Sequence, residues 1–405
     1  MENMTQISLS DIFQNSIEKK PIFKDKDILS IQFTPDNIPH RERQINHIGM
    51  ILAPALRNEK PSNVFIYGKT GTGKSLCTQH TTSKLLEAAK NNGNDNIKII
   101  YVNCKMSKVS DTEYRLLSQL ILNFGIEVPF TGLPTNKLYR QFYELLETKN
   151  QNVILTLDEI DALVGKIGDG VLYNLTRINQ DLKKSKLTII GISNNLSFVN
   201  DLDPRVKSSL SEEEIVFPPY NANELRDILA ERVGGAFNEG VVTPPVIAKC
   251  SALAAQEHGD ARKALDLLRV SGEVAERTNS NRVTEEHVDS AEKKLDTDKI
   301  TEIVRNQPKQ SQCVLLSILK LSRSGTSGIQ TGDIYDVYVD LCRKNNLKPL
   351  TQRRVSDLIS ELDMFGIVNA KVISKGRYGR TREIKMNLPY GITEKLEKLF
   401  STDFI

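Results

Sequence analysis

The chain has 405 residues, which at roughly 100–200 residues per domain implies two to four domains and excludes a single small module. Hydrophobic residues make up 39% and charged residues 26%, with no tryptophan, the balance of a folded globular protein rather than a collagenous or disordered one. Lys plus Arg number 54 and Asp plus Glu 51, a formal net charge of +3, and so small an average excess gives no reason to expect an anionic partner.

The longest weakly polar stretch, about Ile48 to Leu56, falls far short of the ~20 residues of a membrane-spanning helix. Met1 to Thr5 has neither the basic start nor the apolar core of a secretory signal. The cysteines, Cys77, Cys104, Cys250, Cys313 and Cys342, are odd in number and form no CxxC pair, so a disulfide framework or a zinc site is not expected. These features predict a cytoplasmic protein.

Residues 1–30 are polar, mixed in charge and without sustained periodicity, and read as an arm ordered only where it touches the body. From about 62 to 217 short apolar runs alternate with amphipathic ones: Val64 to Tyr67, Ile99 to Val102, Val153 to Leu157 and Leu187 to Ile192. Short, β-branched and flanked by polar residues or glycine, they suit strands buried on both faces of a parallel sheet. The α/β domain is assigned to 31–220. A helical domain follows at 221–299, with Asn221 as an N-cap, Leu225, Ile228, Leu229 and Val233 at helical spacing, and breaks at Gly234-Gly235 and Gly259. In 300–405, helices at about 311–322, 332–346 and 351–365 precede a hairpin, the order of a winged helix. Val355, Leu358, Ile359, Leu362 and Phe365 are read as the third helix's apolar face, which stops at Gly366.

The sharpest motif is Gly68-Lys69-Thr70-Gly71-Thr72-Gly73-Lys74-Ser75, which matches G-x-x-x-x-G-K-[ST]. Such a loop turns successive N–H groups toward phosphates at a helix N-terminus. Gly71, Thr72 and Gly73 would form the cradle, Lys74 would reach the β- and γ-phosphates, and the Ser75 hydroxyl would hold Mg²⁺. A strand ending in Asp158-Glu159 then supplies Asp158 for the metal and Glu159 as general base. Asp161 reads as a helix cap. At the tip of a further strand, Asn194 could hold the attacking water or touch the γ-phosphate; a local turn is the other reading.

These motifs resemble the AAA+ ATPase core. With Leu202 to Leu210, Val216 to Tyr220 and Gly259 to Leu265, and with a terminal winged helix, the chain is similar over nearly its whole length to the archaeal DNA replication initiators. The resemblance implies an α/β AAA+ P-loop core, an α-helical lid and a winged-helix DNA-binding domain. It implies a slow ATPase switch using ATP, ADP and Mg²⁺, with origin duplex DNA, the replicative minichromosome maintenance helicase and other initiator copies as partners. Arg262 would be the lid's sensor arginine, and Tyr220 and Arg232 would line the adenine end. Arg205 or Lys207 would serve a neighbouring subunit, a plain surface pair being the alternative. Ile38 to Glu42 would close over adenine, with His40 structural. Phe130, Thr131 and Gly132, in the turn Val128 to Pro134, would wedge into a minor groove; a buried loop is the other reading. A helicase-loader paralogue and an AAA+ transcriptional or signalling switch fit the same motifs.

The third helix of a winged helix enters the major groove while the wing follows the backbone. Gln352, Arg353, Arg354, Ser356 and Ser360 lie on the helix face predicted to be exposed. The wing carries Lys371, Lys375, Arg377, Arg380, Arg382 and Lys385 against Glu383, with Tyr378 between two glycines, and phosphate contact explains that excess. Residues 300–405 hold 17 Lys and Arg against 11 Asp and Glu, and the remainder 37 against 40. The near-neutral average therefore conceals a basic terminal module.

Overall fold

The apolar runs become strands because alternate side chains on both faces have helices to pack against. The computed structural model describes residues 21–405 except 31–32, 106–110, 130–131, 199–201, 211, 325–327, 375–379 and 404–405. The chain divides into two units, Met1–Val288 and Asp289–Ile405.

In the first unit α1 (Glu42–Leu52) leads to β1 (Val64–Gly68), and α2 (Lys74–Asn91) to β2 (Ile97–Asn103). Helices α3 (Glu113–Leu122) and α4 (Thr135–Glu147) precede β3 (Asn152–Asp158). Then α5 (Ile160–Ile167) and α6 (Gly170–Arg177) precede β4 (Lys186–Ser193), and α7 (Pro204–Leu210) precedes β5 (Glu213–Phe217). The sheet order is β2-β3-β4-β1-β5, and every neighbouring pair is parallel. Phe65, Leu155, Leu157 and Ile189 face one core with Leu116, Phe142 and Leu172. Ile66, Ile154, Ile190 and Ile215 face the other with Ile48, Leu52 and Cys77. Strand β5 escaped the apolar-run reading because it is a half-exposed edge, with Glu214 and Val216 outward and Ile215 and Phe217 inward.

The lid helices are α8 (Ala222–Ala236), α9 (Pro244–Gln256) and α10 (Ala261–Arg277). Asn221 forms a full capping box with Glu224, as the sequence pattern implied. Gly234 and Gly235 do not break α8, because the helix runs on to Ala236 and Gly235 makes room for Ile28. The break at Gly259 is real. Its φ is +67, and a Cβ there would meet the Tyr220 backbone.

The described part of the N-terminal arm is tied to these helices. Lys24 N donates to Ala236 O at 2.8 Å and Asn238 N to Ile22 O at 3.1 Å. The Phe23 ring packs 4.7 Å from that of Phe237, in the space Gly272 leaves open on α10.

Helix α11 (Glu285–Arg305) spans the division between the units. The second unit contains α12 (Lys309–Arg323), β6 (Ile329–Gln330), α13 (Thr331–Lys344), α14 (Gln352–Met364), β7 (Val368–Ser374), β8 (Arg380–Met386) and α15 (Tyr390–Asp403). The three strands form a sheet in the order β6-β8-β7, over a core that includes Leu315, Tyr338, Ile359, Ile384 and Leu396. Phe365 does not join that core. It is the C-cap of α14 and 46% exposed, because the helix unwinds at Gly366 (φ +70). None of the five cysteines forms a disulfide, and among the described residues no helix is long and apolar enough to cross a membrane.

Alanine in place of a helical glycine ordinarily stabilises by about 0.5–1 kcal/mol. At Gly272 the added methyl would enter the Phe23 ring. Gly272→Ala should therefore detach the arm, seen as faster tryptic cleavage at Lys24 and Lys26. Cleavage at the wild-type rate would place Phe23 elsewhere.

Candidate nucleotide-binding site

Strands β1, β3 and β4 all end on one edge of the sheet, and β4 lies between the other two. The residues following them, the glycine loop, Glu159 and Asn194, therefore meet at a single cavity of about 560 Å³. Gly71 to Ser75, Asp158, Tyr220, Arg232 and Arg262 also line it.

The loop is held by its carbonyls. Lys74 is 4% exposed, and its Nζ donates to Gly68 O (2.8 Å), Lys69 O (2.7 Å) and Asn194 Oδ1 (2.9 Å). Burial pulls its ammonium down to about 8, against the opposing charge of Asp158; a bound polyanion would restore the cation. Thr72 Oγ1 donates to Lys69 O at 2.8 Å, and Ala261 N, opening α10, donates to Gly71 O at 3.2 Å. Gly71 has φ +72, and a Cβ there would collide with the Asp260 carboxylate, which itself caps α10 by accepting from Arg262 N and Lys263 N. Only glycine satisfies both demands.

Asp158 is 5% exposed. Its Oδ1 accepts from Glu159 N at 2.9 Å, and its Oδ2 accepts from the Tyr101 hydroxyl. Burial and then that bond push the Tyr101 phenol up. Glu159 adopts the left-handed region (φ 55), a strain often found where geometry serves function, and Lys105 Nζ lies 3.5 Å from its carboxylate. Asp161 is not a cap: Glu159 holds that position, and Asp161 accepts from Ser193 Oγ at 3.0 Å, fixing the end of β4. With Ser75, these side chains offer only hard oxygen donors, the chemistry suited to Mg²⁺.

At the far end Phe33, Ile38, Tyr220, Ile228 and Arg232 line the cavity. Arg232 is 9% exposed and stacks 4.7 Å from the centre of the Phe33 ring. Burial lowers its pKa, and its Nη1 has no hydrogen-bond partner, a donor that a ligand acceptor would satisfy. His40 does not line the cavity, and its Nε2 lies 3.1 Å from Asp227 on α8. Tyr101 and Phe33 have no role in the sequence reading and Arg41 enters it only within Ile38 to Glu42, since periodicity does not show a buried arginine or a strand tyrosine turned to the sheet edge. Arg205 does not line this cavity. It is exposed, pairs with Asp203 at 3.0 Å and holds that carboxyl down at about 2.

On the winged helix, Thr351 caps α14 by accepting from Arg354 N, and Gln352, Arg353 and Arg354 are exposed. Arg354 pairs with Asp357 and Glu361 of its own helix (3.8 and 3.6 Å). Arg353 lines a cleft of about 420 Å³ with Thr331, Ser356, Thr381 and Arg382. Ser356 and Ser360 are half-buried and face Arg382, which donates to Ser356 O (3.1 Å) and Ser360 Oγ (2.5 Å), bracing the wing on the helix. Lys375, Arg377 and Tyr378 lie outside the described residues, as do Phe130 and Thr131 of the inserted turn; Arg380 opens β8. Gly132 has φ +107, and its neighbours Val128 and Leu133 pack on the α/β core.

Comparison with known families matches residues 57–197 to an AAA domain, 226–293 to the Cdc6 AAA+ ATPase-type lid domain and 302–395 to the CDC6 C-terminal winged helix domain. The chain is 51% identical over 391 residues to an ORC1-type DNA replication protein of Pyrococcus furiosus, covering 96% of this chain and 92% of that one. It is 52% identical over 391 residues to ORC1-type DNA replication protein 1 of Methanosarcina mazei, covering 96% and 93%. The solved structure of the Aeropyrum pernix ORC1 protein in complex with DNA is similar at a TM-score of 0.82 and 45% identity, covering 95% of this chain and 99% of that one.

Forcing an L-residue into the left-handed region costs about 1–2 kcal/mol, and at Gly71 the collision with Asp260 adds to it. Gly71→Ala should lower the unfolding free energy by at least about 1 kcal/mol in a urea titration. An unchanged midpoint would mean that loop and cap do not touch in solution.

Proposed function

The chain belongs to the family of ORC1-type DNA replication proteins, and from that premise we propose that it is an ATP-switched initiator that grips origin duplex DNA and helps place the replicative minichromosome maintenance helicase. The observation that carries the reading is the cavity at the sheet edge, where the glycine loop, Asp158-Glu159, Asn194 and the lid residue Arg262 converge. The base would lie between Phe33, Tyr220 and Arg232, and the phosphates against the loop N–H groups.

Each residue then has a task. Lys74 would leave the Gly68 and Lys69 carbonyls for the β- and γ-phosphates, and Asn194, already its partner, would lie beside the γ-phosphate without adding negative charge. Ser75 and Asp158 would hold Mg²⁺, which when bound neutralises charge on the phosphate oxygens. Tyr101 fixes the orientation of Asp158. Glu159 would accept a proton from the attacking water, and Arg262 would reach the γ-phosphate from α10. Arg205, paired with Asp203 in one chain, would exchange that partner for a neighbouring copy's nucleotide when initiators meet on DNA.

In the basic module, Arg353 with Lys371 and the wing residues Lys375, Arg377, Tyr378 and Arg380 would meet DNA, while Arg382 sets the angle between wing and helix. Phe130, Thr131 and Gly132 would provide a second contact from the ATPase domain.

Lys74→Ala should abolish retention of ATP and ADP by the purified protein, whereas Glu159→Gln should retain nucleotide and lose turnover by about 10²-fold or more. Nucleotide bound equally well by Lys74→Ala would overturn the site, and unchanged hydrolysis would remove Glu159 from its role. For DNA, each phosphate contact adds about 0.9 to the log–log salt slope. The double substitution Arg353→Ala, Arg377→Ala should flatten the slope by about 1–2 in fluorescence titrations at several salt concentrations, and an unaltered slope would point to another surface.

A further inference from the structure

Arg41 is 2% exposed and heads the largest fully buried side chains of the described residues. The left-handed backbone of His40 (φ 64) turns the chain at the entry to α1, and Arg41 lies behind the glycine loop. Its Nε donates to Thr72 O at 2.9 Å, its Nη2 to Pro218 O at 2.6 Å and its Nη1 to His40 O at 3.1 Å. The guanidinium lies 3.7 Å from the centre of the Tyr220 ring. A Cβ built on Gly73 would be 3.9 Å from Arg41 Nε, so only the thickness of the loop separates this cation from the cavity.

These partners satisfy N–H groups and neutralise nothing. No ion pair among the described residues includes Arg41, and the neighbouring Glu42 carboxylate instead accepts from His40 N at 3.1 Å. A buried ion without a counter-charge is costly, and hydrogen bonds to carbonyls together with the faces of Tyr220 and Phe217 offset only part of that. The one place nearby that is built to receive negative charge is the other side of the loop.

We propose that Arg41 is a charge-bearing positioning residue of the nucleotide site. It draws the Thr72 carbonyl away from the cavity, so that the loop keeps its N–H side inward, and its buried charge attracts the polyphosphate through the loop. The proposal rests on the nucleotide reading above. A brace alone contributes equally to every ligand that uses the site, whereas a charge contributes in proportion to the charge of the ligand, and burial protects that attraction from salt.

The test is the affinity of the full chain for adenosine, AMP, ADP and ATP, measured by calorimetry without divalent cations at fixed ionic strength. Wild type should bind more tightly with each added phosphate. Arg41→Gln should lose about tenfold more affinity for ATP than for AMP, while Arg41→Lys, which keeps the charge, should stay within about threefold of the wild-type ATP-to-AMP ratio. Equal losses for all four ligands, or a lysine variant that loses the gradient as glutamine does, would reduce Arg41 to a brace and overturn the proposal. So would loss of the cooperative thermal transition in both variants before any nucleotide is added. A wild-type chain that binds none of the four overturns the nucleotide reading itself, a failure visible without any variant.

Discussion

A loop that offers its N–H groups to an anion must have its carbonyl oxygens held on the opposite side. Here several parts of the chain share that work. Gly71 accepts from the first residue of α10, Thr72 accepts from Arg41, and Gly73 accepts from Cys77 within α2, bonds that do not depend on Lys74, the donor to the Gly68 and Lys69 carbonyls. Each bond fixes the orientation of one peptide plane of the loop. The glycines permit the curl, but it is these acceptor bonds that choose one curl among many. The fold can be read as the arrangement that brings α1, β4, β5 and α10 to that loop at once.

Much of this was legible in the sequence. The glycine loop, the strand ending in Asp158-Glu159 and the polar tip at Asn194 were found as local strings, and the parallel order of the sheet brings them together. What local strings could not show was contact between distant segments. Gly234-Gly235 looks like a break until Ile28 is seen lying over it, and Asp161 looks like a cap until Ser193 is its partner. Arg232 is legible only through the family resemblance, and Arg41 only as one residue of the segment Ile38 to Glu42, because burial of a long polar side chain leaves no periodic trace. Strand β5 and helix α15 escaped for simpler reasons. The first is a half-exposed edge with two glutamates, and the second follows a hairpin that appeared to complete the module.

The uneven charge of the chain fits the same division of labour. The ATPase-type unit buries a few cations placed singly, Lys74, Arg41 and Arg232, and the residues before 300 carry a slight excess of acids. The terminal module concentrates exposed cations instead, with Arg382 turned inward to Ser356 and Ser360. Wing and third helix are joined by that arginine, so a substitution there alters geometry as well as charge, unlike one at Arg353.

The carbonyl bonds of the loop also bear on how the chain is made. Their donors range from Arg41 to Ala261, a separation typical of slow, non-local assembly. During synthesis the loop and its strand emerge early, yet the cavity cannot take its final shape until α10 has left the ribosome. Between the emergence of Phe217 at the end of β5 and that of Arg277 at the end of α10, the α/β half must therefore remain folded by its two apolar cores alone.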